Sequence, residues 1–263
     1  TGNYNSAFGY QALGGSTPGS SFNSAFGCYA MYGNSTGVRS VAVGYQTLQA
    51  FASGTSGSVA IGYQSSFSNT TGNFNVSIGA ISSRSNTSGT QNTTIGYKAG
   101  FAITTGTNLT VIGFNSAASS ATATNEITLG NSSIATLRCQ VTTITALSDF
   151  RDKTDINDIQ VGLSFVEKLR PVTFKWDRRE WYSDGNKDGS KKDDKIQIGF
   201  IAQELKELQE TENATYLNLV LEDNPDKLEA TPGNLMTPLI KAVQELSVKV
   251  KTLEAKVQAL ETK

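Results

Sequence analysis

The chain of 263 residues contains no histidine. That absence excludes every serine triad built on imidazole, every His-containing zinc site and every imidazole proton shuttle. Cysteine is scarce: Cys28 and Cys139 stand far apart in sequence, too few for a four-cysteine metal site and without the pattern of a disulfide framework. No run of about 18 apolar residues exists, so no membrane-spanning helix is expected. The formal net charge is −1, which gives no electrostatic case for nucleic acid or anionic lipid. Charge is also nearly missing from one half of the chain. Residues 1–147 carry only Arg39, Arg84, Lys98, Glu126 and Arg138, five of the 45 charged residues, yet hold 20 of the 25 glycines. Two regions of different physics meet near Leu147. The chain starts at Thr1 inside a pattern and without a basic-then-apolar leader, so it reads as the C-terminal part of something longer.

The pattern in the first half is a repeat. An apolar residue followed by glycine recurs at Phe8-Gly9, Phe26-Gly27, Val43-Gly44, Ile61-Gly62, Ile78-Gly79, Ile95-Gly96, Ile112-Gly113 and Leu129-Gly130, in steps of 17 or 18. Two residues before each glycine stands a small or short side chain: Ala7, Ala25, Ala42, Ala60, Ser77, Thr94, Val111 and Thr128. A second glycine lies seven residues upstream at Gly2, Gly37, Gly72, Gly89 and Gly106, and an asparagine four upstream at Asn5, Asn23, Asn75 and Asn92. Constant spacing of this kind specifies stacked coils, each with one short strand, which bury together what no single unit could bury alone. Disorder has no need of such register, so a low-complexity tract is the weaker reading. Gly and Asn supply the positive φ that the coil's turns require. Eight coils at one strand spacing make a rod of about 38 Å. The small residues on one strand face predict the close approach of another surface, such as two further chains around an axis.

Units such as Asn5-Ser6-Ala7-Phe8-Gly9 and Ser58-Val59-Ala60-Ile61-Gly62 resemble the head repeats of trimeric autotransporter adhesins, and viral fibre shafts use similar repeats. The resemblance covers roughly residues 1–131 and implies a trimeric β-solenoid. It says nothing about ligand. The series Tyr10, Tyr45, Tyr63 and Tyr97 reads either as an exposed ladder for sugar stacking or as rings filling the solenoid or packing between subunits; the second is preferred.

Residues 132–147 are Thr-rich and β-prone at Val141-Thr142-Thr143-Ile144-Thr145, as a neck would be. A helix is expected at about 160–169, a strand at Arg170–Trp176, and a strand passing into a helix at Ile196–Glu204. In the tail, Leu239, Val243, Leu246, Val250, Leu253, Val257 and Leu260 alternate in steps of four and three, a heptad seam with Val at a and Leu at d. The coiled coil is expected over about 236–262.

Four motifs in order carry a second resemblance: Ser148-Asp149-x-Arg151-x-Lys153, Leu169-Arg170-Pro171-Val172-x-Phe174-x-Trp176, Gly199-Phe200-Ile201-Ala202-Gln203-Glu204, and Leu239-Ile240-Lys241-Ala242-Val243-Gln244-Glu245-Leu246. Together they resemble the C-terminal intramolecular chaperone domains of bacteriophage endosialidases, tail spikes and tail fibres, a serine autopeptidase family. The resemblance implies a homotrimer that folds the upstream fibre and then cuts itself off at the bond before the motif serine, here Leu147–Ser148. It maps Ser148 to the nucleophile and Lys153 to the base, with Asp149 and Arg151 in support. It also implies a virion location, with the chaperone domain acting in the host cytoplasm during assembly. No cofactor or metal is implied. A short Val/Leu seam leans toward dimers; trimer is the expectation because of the resemblance, not the heptads.

The predicted architecture is a mainly β N-terminal half, residues 1–131, a neck at 132–147, and an α+β chaperone domain at 148–263 ending in a long coiled-coil helix. Geometry sets a condition on the catalytic pair. Five residues span ~16–17 Å in a strand and stand ~140° apart around a helix. The segment must therefore bend, or Lys153 must come from a neighbouring subunit. A bland alternative makes Ser148 a helix N-cap or turn residue. Two partner readings stand beside self-cleavage: a non-cleaving trimerisation cap, and an adhesive fibre whose stalk binds a host surface glycan or receptor. Asp184-Gly-Asn186-Lys-Asp188-Gly189-Ser190 copies the first half of a calcium loop, but its twelfth position is Lys195, so it reads as an exposed hairpin loop with calcium a minor alternative.

Overall fold

The computed structural model describes residues 3–51, 57–140 and 144–262. Gly2 of the glycine series and Val141–Thr143 of the Thr-rich neck lie outside the described residues. The chain divides into two compact units, Thr1–Thr143 and Ile144–Lys263.

The first unit is a β-solenoid of about seven turns. Its rungs are β1 (Ser6–Phe8), β2 (Ser24–Phe26), β3 (Val41–Val43), β4 (Val59–Ile61), β5 (Val76–Ile78), β6 (Thr93–Ile95), β7 (Thr107–Ile112) and β8 (Thr124–Leu129). They form one parallel sheet in sequence order. Repeats align in register, with Ala25 opposite Ala42, Ala42 opposite Ala60 and Ala60 opposite Ser77.

The small column points inward. Ala25, Ala42, Ala60 and Thr94 are fully buried within the coil itself. The expectation that this face meets other chains is therefore overturned. A coil of 17 residues encloses too little width for large side chains opposite one another, so alanine, serine and threonine fill it. The outward side carries Phe8, Phe26, Val43, Ile61, Ile95, Ile112 and Leu129, between 36% and 75% exposed.

Asn108 (φ 57°) and Asn125 (φ 58°) supply the left-handed corner as expected, but the asparagines four residues before the strand-end glycines have a different task. There the left-handed corner belongs to the residue before each: Tyr4 (φ 59°), Phe22 (φ 61°), Phe74 (φ 55°) and Gln91 (φ 59°). The asparagines instead turn into the core and tie one coil to the next. Asn75 accepts from the Asn92 backbone N–H at 3.0 Å, and Asn92 accepts from the Leu109 N–H at 3.0 Å. Their amides donate to the Gly89 and Gly106 carbonyls, each at 2.8 Å. Where the repeat has serine, Ser40 and Ser58 keep part of this link, accepting from the Ser58 and Asn75 N–H groups at 3.3 Å. The strand-end glycines do take positive φ, for example Gly62 at +125° and Gly96 at +132°. A Cβ on Gly62 would strike the Gly79 carbonyl of the next coil.

The core changes along its length. Met31, Leu48 and Phe51 pack with the alanines at one end, and Ile103, Leu109 and Val111 at the other. Between them lies a buried hydroxyl network: Ser66 donates to Ser77 at 2.8 Å, and Ser82 and Ser83 meet Thr94 at 2.8 and 2.9 Å.

The second unit is α+β. Its elements are α1 (Leu163–Val166), β9 (Val172–Phe174), β10 (Gln197–Gly199), α2 (Ala202–Thr211), β11 (Val220–Leu221), β12 (Glu229–Ala230) and α3 (Met236–Glu261). Strands β9 and β10 form an antiparallel pair. Phe165, Leu205, Ala214, Leu217, Leu219, Val220 and Leu235 make the core. The helix expected at 160–169 is a single turn, because Val161 and Leu169 reach this core from irregular backbone on either side. No strand forms in the described part of the neck, and residues 144–148 are exposed.

Helix α3 buries a narrow stripe, Pro238 and Ala242. Its heptad positions Leu239, Val243, Leu246, Val250, Leu253, Val257 and Leu260 stay 44% to 70% exposed. Asn92→Ala leaves the Gly106 carbonyl and the Leu109 N–H buried without partners, at about 1–3 kcal/mol each. Urea denaturation followed by circular dichroism should show the solenoid destabilised by about 2–4 kcal/mol. An unchanged midpoint would remove the asparagine link from the account of stability.

Candidate functional site

The site is built on a bend. Asp149 caps a 3-10 turn at Phe150–Asp152, its side chain accepting from the Arg151 N–H at 2.9 Å. The same carboxylate grips the Arg151 guanidinium, with Nε at 3.0 Å and the terminal nitrogen at 2.7 Å. Serine-aspartate at a turn start is a common local cap; here Asp149 fills that role, and Ser148 is left free of it. The turn folds the chain back, and Lys153 Nζ donates to Ser148 Oγ at 2.6 Å. The bend within the chain is enough to bring the two side chains together.

Ser148, Phe150, Arg151 and Lys153 are exposed, and Asp149 is half-buried. Leu147 is 85% exposed, so the Leu147–Ser148 peptide bond lies open to solvent. The Arg151 side chain, then its N–H, hold the Asp149 carboxyl below the usual carboxylate range, and Asp149 pushes the guanidinium up.

The later motifs are joined by contacts that spacing did not reveal. Arg170 of the second motif forms a two-pronged ion pair with Glu204 of the third, with Nε to Oε2 at 2.9 Å. That pair lowers the Glu204 carboxyl and raises Arg170. Glu245 of the fourth motif accepts from the Leu163 N–H at 2.8 Å, where α1 begins. These residues stand 34 and 82 apart in sequence. Opposite charge hinted at the first; the second had no such hint, since Leu163 lies outside the four motifs and contributes a backbone N–H.

The 184–195 segment is an exposed stretch of the β9–β10 connection. Asp184 and Asp188 accept from the Asn186 and Ser190 N–H groups at 3.0 and 2.9 Å; the Asn186 N–H lowers the Asp184 carboxyl, and the Ser190 hydroxyl, then its N–H, lowers Asp188. Among the described residues, no cluster of three or more Cys, Asp or Glu could hold a metal ion.

The stalk tyrosines are not in the solenoid core: Tyr10, Tyr45, Tyr63 and Tyr97 are 42% to 65% exposed. Tyr45 and Tyr63 stack at 5.7 Å and 9°, and Tyr97 stacks on Phe114 at 5.5 Å and 19°. Each ring covers part of its neighbour's face.

The chain thus joins a repeat solenoid to a small α+β unit that opens with a serine–lysine turn. Residues 148–213 match the family model described as "Chaperone of endosialidase", which supports reading this segment as an intramolecular chaperone domain. The match opens at Ser148 and takes in three of the four motifs; the fourth, on α3, lies beyond it. The family implies a chaperone domain of self-cleaving peptidase type, and a β-solenoid joined to it fits a phage tail fibre or spike. No curated protein and no solved structure matches the chain. Among the described residues, no helix is long and apolar enough to cross a membrane.

Arg151→Ala removes the main cause of the lowered Asp149 carboxyl. A depressed carboxyl contributes stability that is full above its unfolded pKa and is lost as pH falls through its folded value. The turn should therefore outlast protonation of ordinary aspartates on acidification. In a carbon-13 NMR titration, the Asp149 midpoint should sit below that of free aspartate and rise in R151A. A midpoint that R151A does not move would refute the assignment.

Proposed function

We propose that the chain is a stalk-and-chaperone segment of a trimeric viral tail fibre or spike, and that it cuts itself once at Leu147–Ser148 by a Ser–Lys mechanism. The observation that carries this reading is the 2.6 Å separation of Ser148 Oγ and Lys153 Nζ at the start of the family match. With histidine absent, a neutral lysine is the available strong base. The same separation serves both directions of the hydrogen bond. A charged Lys153 donates to Oγ; an uncharged one accepts the hydroxyl proton.

The chemistry then runs as follows. Oγ attacks the Leu147 carbonyl carbon while Lys153 takes its proton. The Leu147–Ser148 amide bond breaks, and its nitrogen receives the proton as the new amino group of Ser148. Leu147 is left as an ester on Oγ. Water hydrolyses that ester, releasing the Leu147 carboxylate and restoring the hydroxyl. Asp149 and Arg151 hold the bend and take no part in bond breaking.

Two exposed apolar columns support assembly. One is the outward Phe/Val/Ile column of the solenoid and the other is the α3 seam. Both run along a repeat, so copies in the same register present matching surfaces to each other. We assign three copies on the family's behaviour, against the dimer preference of the seam. The exposure of the Ser148–Lys153 pair also fits a domain that trimerises and caps the stalk without cutting.

Denaturing gels and intact mass separate the two. The wild-type chain should give fragments ending at Leu147 and beginning at Ser148. Ser148→Ala should give none, and Lys153→Ala should slow cutting by ~100-fold or more. A wild-type chain that stays whole, or cutting that survives S148A, defeats self-cleavage and leaves the cap.

A further inference from the structure

The chemistry of the Ser148–Lys153 pair has a requirement that one copy of the chain does not meet. A lysine accepts a hydroxyl proton only when uncharged, and near neutral pH that state needs water to be stripped away. Both residues are exposed. Beside them stand two large apolar side chains with little covering: Leu147 is 85% exposed, and Phe150, inside the turn that bends Ser148 toward Lys153, is 78% exposed. Neither belongs to the cluster that forms this unit's core. Phe150 also occupies a position that the Ser-Asp-x-Arg-x-Lys pattern leaves open.

We propose that Phe150, backed by Leu147, is a positioning residue for the cut: packed against a second copy of the chain, it seals water from the Ser148–Lys153 pair and switches the reaction on. The inference rests on the self-cleaving reading. The occupant is a second copy because the same unit carries another uncovered apolar stripe, the α3 seam, whose heptad period is complementary to itself. Coupled assembly along that seam brings the 147–153 segments of several copies together at high effective concentration. Covering the turn buries no isolated charge at its start, since Asp149 and Arg151 already neutralise each other. On the same segment, Asp152 and Asp155 stand within two residues of Lys153. Among the described residues, no hydrogen bond or ion pair joins Lys153 to another element.

The test compares the full chain with Phe150→Ser and Phe150→Leu. Cutting is followed by gel and mass across a pH series, and assembled mass is measured by light scattering with each change placed in an S148A background. F150L should cut with the wild-type rate and pH profile. F150S should assemble normally yet cut about tenfold more slowly near neutrality, with its rate profile displaced upward by about one pH unit. Loss of assembly in F150S makes Phe150 a plain interface residue and overturns the proposal, as does an unshifted profile. Uncut wild-type chain overturns the self-cleaving reading itself, and this proposal with it; normal wild-type cutting with an indifferent Phe150 overturns this proposal alone.

Discussion

Each coil of the stalk depends on the next for its backbone hydrogen bonds. Ser24 N–H reaches Ser40, Val41 N–H reaches Ser58, and Val59 N–H reaches Asn75, all at 2.8 to 2.9 Å. This in-register stacking at one strand spacing sets everything else. It brings identical positions into contact, so any residue type chosen for one coil is multiplied into a column. It limits the interior width, so the strand column stays short where Met31, Leu48 and Phe51 pack against it. It pushes the phenylalanines, valines and isoleucines outward, and it stacks Tyr45 on Tyr63 by repetition alone.

Much of this was legible. Fixed phase at Ile61-Gly62, Ile78-Gly79 and Ile95-Gly96 gave the period, and the period gave the solenoid. What could not be read was which side of a three-residue strand faces in. Alternation says only that Ala60 and Ile61 point opposite ways; the inside volume facing Ala60 is filled by large residues from outside the strands, such as Leu48 and Phe51. The asparagines misled for a related reason. Their preference for left-handed backbone is a local tendency, whereas their amide can bridge two coils at once, and the bridge won. Tyr4, Phe22 and Gln91 bear the left-handed corner instead, a cost spread over many identical turns.

The charged unit was legible by motif rather than by period. Ser148 and Lys153 could be named but not placed, because five residues of regular structure cannot join them. Asp149 resolves this by local chemistry: one carboxylate caps the turn and clamps Arg151. The Arg170–Glu204 and Glu245–Leu163 contacts were invisible, since they depend on how β9, α2 and α3 pack. Helix α3 shows both sides of the matter. Its 3.5-residue period was plain, yet only the structure shows that its own domain takes the Pro238–Ala242 stripe and leaves the heptad positions open.

The hydroxyl-filled middle of the stalk has a kinetic consequence. Ser66, Ser77, Ser82, Ser83 and Thr94 satisfy one another only after the coils are stacked, so a collapsing chain gains little from bringing them together early. Parallel rungs 17 residues apart close many loops before they return any contact. Such a core propagates well and nucleates badly. Growth from a ready-made end is the natural route for a stack of this kind.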